Sequence, residues 1–170
     1  FADAHDLGWP DVLTGLAGAY LARWTGNRAV VGVPFMARMG SRAARVPCMA
    51  MNVLPLTVTP DEDAPLPDWL RSVARDLAQG RRHGRYRSEQ MRRDLGLIGG
   101  AKRLYGPLIN VQPFDKPPVL AGLDVRLHIL GAGAVDDLTF TFRGDARSGL
   151  LFEVDANPAL YTPDEVAGHF

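Results

Sequence analysis

An α/β fold is the reading this chain supports: a two-layer sandwich in which a mixed sheet is covered by helices on one face. Three observations carry it. Two segments space their apolar residues by three and four; a valine-rich run and a run ending Leu-Pro-Leu have the composition of buried strands; and the final third alternates with a period of two.

Taken in order, Val12, Leu13, Leu16, Ala19, Tyr20 and Trp24 follow Pro10 at helical spacing, and Gly26 supplies a C-terminal stop. Residues 28–35 are rich in valine and read as a buried strand, while 36–47 hold Gly40 and several small or basic residues and read as a loop. The run from Val46 to Leu56 is a second strand. Within it Pro55 argues for an edge, a bulge or the end of regular pairing, because proline cannot donate to a ladder. An acidic, proline-rich loop over 60–67 leads to Trp69, Leu70, Val73, Ala74 and Leu77, a second helix whose last turn puts Arg81 and Arg82 where the helix dipole favours positive charge.

Ser88 reads as the N-cap of a short helix through Leu95, ended by Gly96, Gly99 and Gly100. Further on, Leu123, Val125, Leu127 and Ile129 alternate with Asp124, Arg126, His128 and Leu130, and Leu138, Phe140 and Phe142 alternate with Thr139, Thr141 and Arg143, which predicts two half-buried strands. Residues 150–154 make a third across a turn at 144–149. Thr162-Pro163-Asp164-Glu165 is a capping box with proline at the first helical position, so a helix opens there and the chain stops inside it.

Composition bounds the function. With 170 residues, 46% apolar and 22% charged, the chain suits one folded domain rather than a disordered segment. Lys+Arg and Asp+Glu balance at 19 each, which leaves no electrostatic footprint for nucleic acid or for an anionic membrane. Cys48 is the single cysteine, so neither an intrachain disulfide nor a cysteine metal cluster is possible, and a cytoplasmic location is expected. No apolar run is long enough to span a bilayer, and no metal is expected.

Asn52 is the one amide inside an otherwise apolar run, Val46-Pro47-Cys48-Met49-Ala50-Met51-Asn52-Val53-Leu54-Pro55-Leu56. Unpaired and buried, it would cost roughly 1–3 kcal/mol, so the protein or a ligand must satisfy it. The run resembles the V-N-T-L-P-L motif of nonribosomal peptide synthetase condensation domains. Upstream, Val30-Val31-Gly32-Val33-Pro34-Phe35-Met36-Ala37-Arg38 is similar to the strand and arginine that precede that motif. Downstream, His83-Gly84-Arg85-Tyr86-Arg87-Ser88-Glu89 resembles H-x-x-Y-x-x-E, and Tyr105-Gly106-Pro107-Leu108-Ile109-Asn110-Val111-Gln112-Pro113-Phe114-Asp115 resembles F-x-P-x-x-N-x-x-x-F-D. The order of the four blocks is that of the family. Its H-H-x-x-x-D-G motif has no counterpart, for His5, His83, His128 and His169 are never adjacent.

The resemblance implies one lobe of a chloramphenicol acetyltransferase-like fold: residues 1–170 as a single C-terminal lobe, truncated at both ends. It implies an acceptor-side tunnel wall of a transferase that forms an amide bond between carrier-protein-bound acyl and aminoacyl thioesters, in siderophore or antibiotic biosynthesis. No catalytic residue is expected on this chain, and alone it would be inactive. No cofactor would be bound intrinsically; 4'-phosphopantetheine arms of carrier proteins would enter the parent domain. The implied partners are the N-terminal lobe of the same domain, upstream and downstream carrier proteins and an adjacent adenylation domain. An epimerisation, heterocyclisation or free-standing acyltransferase relative, or a non-catalytic recruitment domain of the same fold, are the alternatives.

The candidate substrate-binding residues are Arg38, Met49, Ala50 and Asn52. For Asn52 the competing account is an amide satisfied by neighbouring backbone; for Arg38 it is an ion pair with an acid such as Asp94 or Asp137. His83, beside a helix end, reads as a terminal charge or packing residue rather than a base. Asp136-Asp137 reads as a strand-entry turn, since adjacent strand residues face opposite ways. Ala50 stands where the family usually has an aromatic residue, which either widens the channel beside Asn52 or repacks with Met49 and Met51.

Overall fold

Alternating apolar residues bring two extended runs together as an antiparallel pair, β1 (Ala29–Met36) against β2 (Met51–Val58). This is seen in a computed structural model that describes residues 1–38, 45–113, 119–126, 128, 130, 131, 133–145, 147 and 149–170. The chain forms two units, Phe1–Ile109 and Asn110–Phe170. In the first, Ala29 lies opposite Val58, Val31 opposite Leu56, Val33 opposite Leu54 and Phe35 opposite Asn52. Facing residues of an antiparallel pair share a side of the sheet, and all eight of these are buried.

Two helices cover that side. A β-carbon at Gly18 of α1 (Trp9–Ala22) would stand 2.7 Å from Val58 Cγ2, and one at Gly80 of α2 (Leu66–Arg82) would stand 3.3 Å from the Phe35 ring. The helices also meet each other, for a β-carbon at Gly15 would lie 2.7 Å from Leu70 Cδ2. Arg81 of α2 pairs with Asp11 of α1. The stripe that announces α1 in the sequence turns outward at its bulky members: Leu16 is 41% exposed and Trp24 70%. Val12 keeps its expected place inside, and the rest of the buried side is Thr14, Gly15, Ala17, Gly18, Leu21 and Ala22. Small residues let the helix backbone approach the sheet, and that closeness outweighs the burial of a few larger side chains. In α2 the expected Trp69, Leu70, Val73 and Leu77 are the buried set, with the Trp69 indole donating to the Thr59 carbonyl at 2.9 Å.

On the opposite side Gly32 admits the Tyr105 ring, which a β-carbon there would approach to 2.6 Å. β3 (Leu108–Gln112) runs parallel to β1 at Gly32 and Leu108, which makes the sheet mixed, as expected. The Gly32 N–H donates to Pro107 at 2.8 Å, towards β3. The Gly32–Pro55 pair therefore exchanges no hydrogen bonds, and the proline nitrogen faces the outer side of β2. Of the three options the sequence left for Pro55, the structure selects the edge.

The second unit is built on the hairpin of β4 (Leu138–Asp145) and β5 (Gly149–Ala156). Phe142 and Phe152 stack with centroids 4.9 Å apart, and Phe140 meets Phe152 edge-on at 5.4 Å. The side chain of Arg143 donates to Glu153 and Gln112. The expected capping box is present in α4 (Pro163–Ala167): Thr162 Oγ1 accepts from the Glu165 N–H, and the Glu165 carboxylate accepts from the Thr162 N–H at 2.8 Å. That helix closes at Gly168 rather than running on to the end of the chain. The strand expected over 123–129 is not formed at its described residues, and Leu127 and Ile129 lie outside them. Leu123 and Leu130 are exposed there, so the alternation has found no sheet to pair with in this unit.

Two outcomes follow from this packing. Gly18→Ala should destabilise the fold by about 1–3 kcal/mol in urea denaturation, despite the better helix propensity of alanine, because buried Val58 has no room to retreat. The hydrogen bonds from the Thr162 backbone, and then from its hydroxyl, hold the Glu165 carboxyl below its ordinary value of 4.5. A depressed pKa adds stability above the unfolded value and loses it as pH falls through the folded one. Amide protection in α4 should therefore fade on acidification below about pH 4.5 and be insensitive to it in Glu165→Gln, followed by hydrogen exchange.

Candidate functional site

Where the buried side of the β1–β2 pair reaches Phe35 and Asn52, the strand end meets the segment that follows α2. His83 caps the C-terminus of that helix through its backbone N–H, in keeping with a helix-end role, and the chain then passes beside Asn52. The Asn52 amide nitrogen donates to the Gly84 carbonyl at 3.0 Å and the Tyr86 carbonyl at 2.8 Å, and its Oδ1 accepts the Ser88 N–H at 3.1 Å. Both amide hydrogens are used, so the partner that a buried asparagine requires is main chain 32 to 36 residues away.

This corrects the expectation for Ser88. It is the first residue of α3 (Ser88–Asp94), not its cap; Arg87 occupies the cap position without a side-chain cap bond, and a side chain from another strand takes the orphan N–H. Local spacing cannot reveal a cap supplied from so far away. Tyr86 and Gln90 engage Asp94, the Gln90 amide at 2.7 Å.

Arg38 sits just beyond β1 and folds back on the loop that joins the two strands. Its Nη1 donates to the Val46 carbonyl at 2.5 Å and to the Cys48 carbonyl at 3.3 Å, with the Cys48 sulfur 3.9 Å away. Carbonyl oxygens thus hold the guanidinium across the base of the loop. Asp137, the other acid that sequence offered to it, accepts from the Tyr161 hydroxyl at 2.6 Å, and Asn157 bonds the backbone of Asp136 and Asp137, which fits a strand-entry turn.

These elements surround an open groove of about 720 Å³. All four residues nominated from sequence, Arg38, Met49, Ala50 and Asn52, line it. Met49 is 83% exposed, whereas Asn52 is buried and offers the groove little beyond one remaining lone pair. Arg85, Arg87 and Glu89 also line the groove and were not singled out in the sequence. Glu89 had its match to the glutamate of the H-x-x-Y-x-x-E resemblance, whereas the two arginines stand at unmatched places of that block. No histidine lines the groove and Glu89 is its single carboxylate, so the lining holds no nucleophile–base pair; what it can do is shape, position and attract. Among the described residues no cluster of His, Cys, Asp and Glu could hold a metal ion, and no helix is long and apolar enough to cross a membrane.

Residues 1–166 match the family described as Condensation domain. The chain is 42% identical over 164 residues to the dimodular nonribosomal peptide synthase of Bacillus subtilis (strain 168), covering 95% of this chain and 7% of that protein. It is 43% identical over 169 residues to the isonitrile lipopeptide synthase of Streptomyces coeruleorubidus, covering 97% and 12%. The crystal structure of VibH, an NRPS condensation enzyme, superposes with a TM-score of 0.86 at 34% identity, covering 99% of this chain and 39% of that one. The chain thus spans a small part of these relatives and less than half of the solved enzyme.

The Asn52 contacts predict a graded loss of stability. Asn52→Ala should cost about 1–3 kcal/mol in chemical denaturation, since it strands two carbonyls and an N–H. Asn52→Asp should cost more, because it turns a carboxylate oxygen towards those carbonyls. Equal stability of all three proteins would remove the clamp from the account of the site.

Proposed function

The chain belongs to the condensation-domain family, and we propose on that premise that it is the C-terminal, acceptor-side lobe of a nonribosomal peptide synthetase condensation domain, residues 1–170 forming one wall of the reaction tunnel. The reaction joins an acyl thioester on one carrier protein to the amine of an aminoacyl thioester on another. The amine lone pair forms the C–N bond, the C–S bond breaks, and the departing thiol takes up the proton the amine sheds. The groove beside Asn52 carries this reading: it is shaped and charged, yet its lining holds no histidine to accept that proton. The proton-handling group belongs to an H-H-x-x-x-D-G lobe, and this sequence contains no such motif.

Catalysis by such a wall is positional. Holding two tethered reactants at attack distance lowers a barrier by up to roughly 7–11 kcal/mol through prepaid entropy. Met49 and Ala50 contribute apolar lining that suits a substrate stem. Arg38 holds the loop carrying them, and Asn52 acts mainly through the backbone it binds. The partners are the N-terminal lobe, the two carrier proteins, whose phosphopantetheine arms are substrate tethers, and an adjacent adenylation domain, in the cytoplasm.

An amide-forming assay with two loaded carrier proteins tests this. The 170-residue chain alone should give no product above blank, and adding the lobe that bears H-H-x-x-x-D-G should restore turnover. Product formed by this chain alone would refute the assignment.

A further inference from the structure

On the side of the sheet away from the helices, β1 ends and β2 begins in methionine. Met36 and Met51 are register partners next to the buried Phe35–Asn52 pair and on the opposite face from it, 48% and 57% exposed. The Ala37 N–H donates to the Ala50 carbonyl at 2.8 Å, which carries the ladder one step past the strands. Met36 and Met51 are therefore a pair that exchanges no hydrogen bonds, the closer of the two kinds, with β-carbons about 4.5–5.5 Å apart. Just before β2, Met49 is 83% exposed and lines the groove together with Met51. Methionine is among the side chains most often buried, so three exposed at one corner of a sheet call for a reason.

We propose that Met36, Met49 and Met51 form a thioether site for a soft monovalent cation of the Cu(I) class, bridging the ends of the two strands. Soft sulfur ligands select Cu(I), whereas the His, Cys, Asp and Glu clusters absent from the described residues are a different donor set. A thioether has no proton to lose, so it ligates without a neighbouring base. Methionine is unbranched with three rotatable bonds, which lets sulfurs from β-carbons so spaced converge on one ion. The cation of Arg38 is drawn off to the Val46 and Cys48 carbonyls. Because Met36 comes from β1 and Met51 from β2, a bound ion ties the strand ends together and stabilises the folded chain by linkage. None of this depends on the tunnel-wall reading.

Calorimetric titration of the 170-residue chain with Ag(I), a soft ion of the same charge that does not change oxidation state, tests this in chloride-free buffer beside a thermal unfolding scan. A single Ag(I) should bind per chain and raise the unfolding midpoint, and Zn2+ should not displace it. Met36→Leu with Met51→Leu keeps the apolar bulk and removes the sulfur; it should weaken binding about tenfold or more and cancel the rise in midpoint. The midpoint of that variant without the ion reports that it still folds. Cys48→Ser should leave binding and midpoint unchanged. Loss of the ion in Cys48→Ser would assign it to the thiol and overturn the thioether site. Binding that neither variant changes would mark an adventitious ion only, and absence of binding to the unaltered chain would overturn the site as well.

Discussion

One side chain joins the parts of this site that the sequence keeps far apart. Asn52 ends the buried face of the β1–β2 pair, and its amide bonds the backbone on the far side of α2 three times. In a buried setting those bonds carry an asymmetry: each is worth little net when made, but much is lost when one partner is removed. The strand end, the start of α3 and the groove between them therefore stand or fall as a unit. The neighbouring Arg38 works the same way on a smaller scale, bonding two carbonyls to shut the loop between the strands.

Close approach is the second constraint, and it sets the limits of what sequence could reveal. Periodicity found α2 with its buried face, both long strands of the first unit, the β4–β5 hairpin and the capping box of α4. These elements are specified by their own residues. It found α1 but, Val12 apart, not its inner face, because Gly15 and Gly18 pack by being absent rather than by being apolar, and a hydrophobicity pattern cannot see a missing β-carbon. The alternation over 123–129 has the chemistry of a strand, yet its described residues have no partner strand in their unit, and pairing is a property of two segments.

The site was legible in the same uneven way. Arg38, Met49, Ala50 and Asn52 were named from a motif resemblance, and all four line one groove. Arg85 and Arg87 were missed because they fall in a stretch that sequence reads as a helix end and a new start, where arginines have a duller account, and Glu89 entered only as a motif match. Only the distant bonds from Asn52 hold the turn after α2 and the start of α3 against the strand end.

Pro55 has a bearing beyond its own strand. β2 is the outer strand of its unit, and its free side would otherwise present an unbroken row of donors and acceptors to any extended peptide. The ring nitrogen interrupts that row at mid-strand, opposite Gly32, so a second chain cannot zip along it. Among the described residues, the proline that reads as a flaw within a strand stands where it costs no ladder bond to β1 and leaves one donor fewer on the outer side.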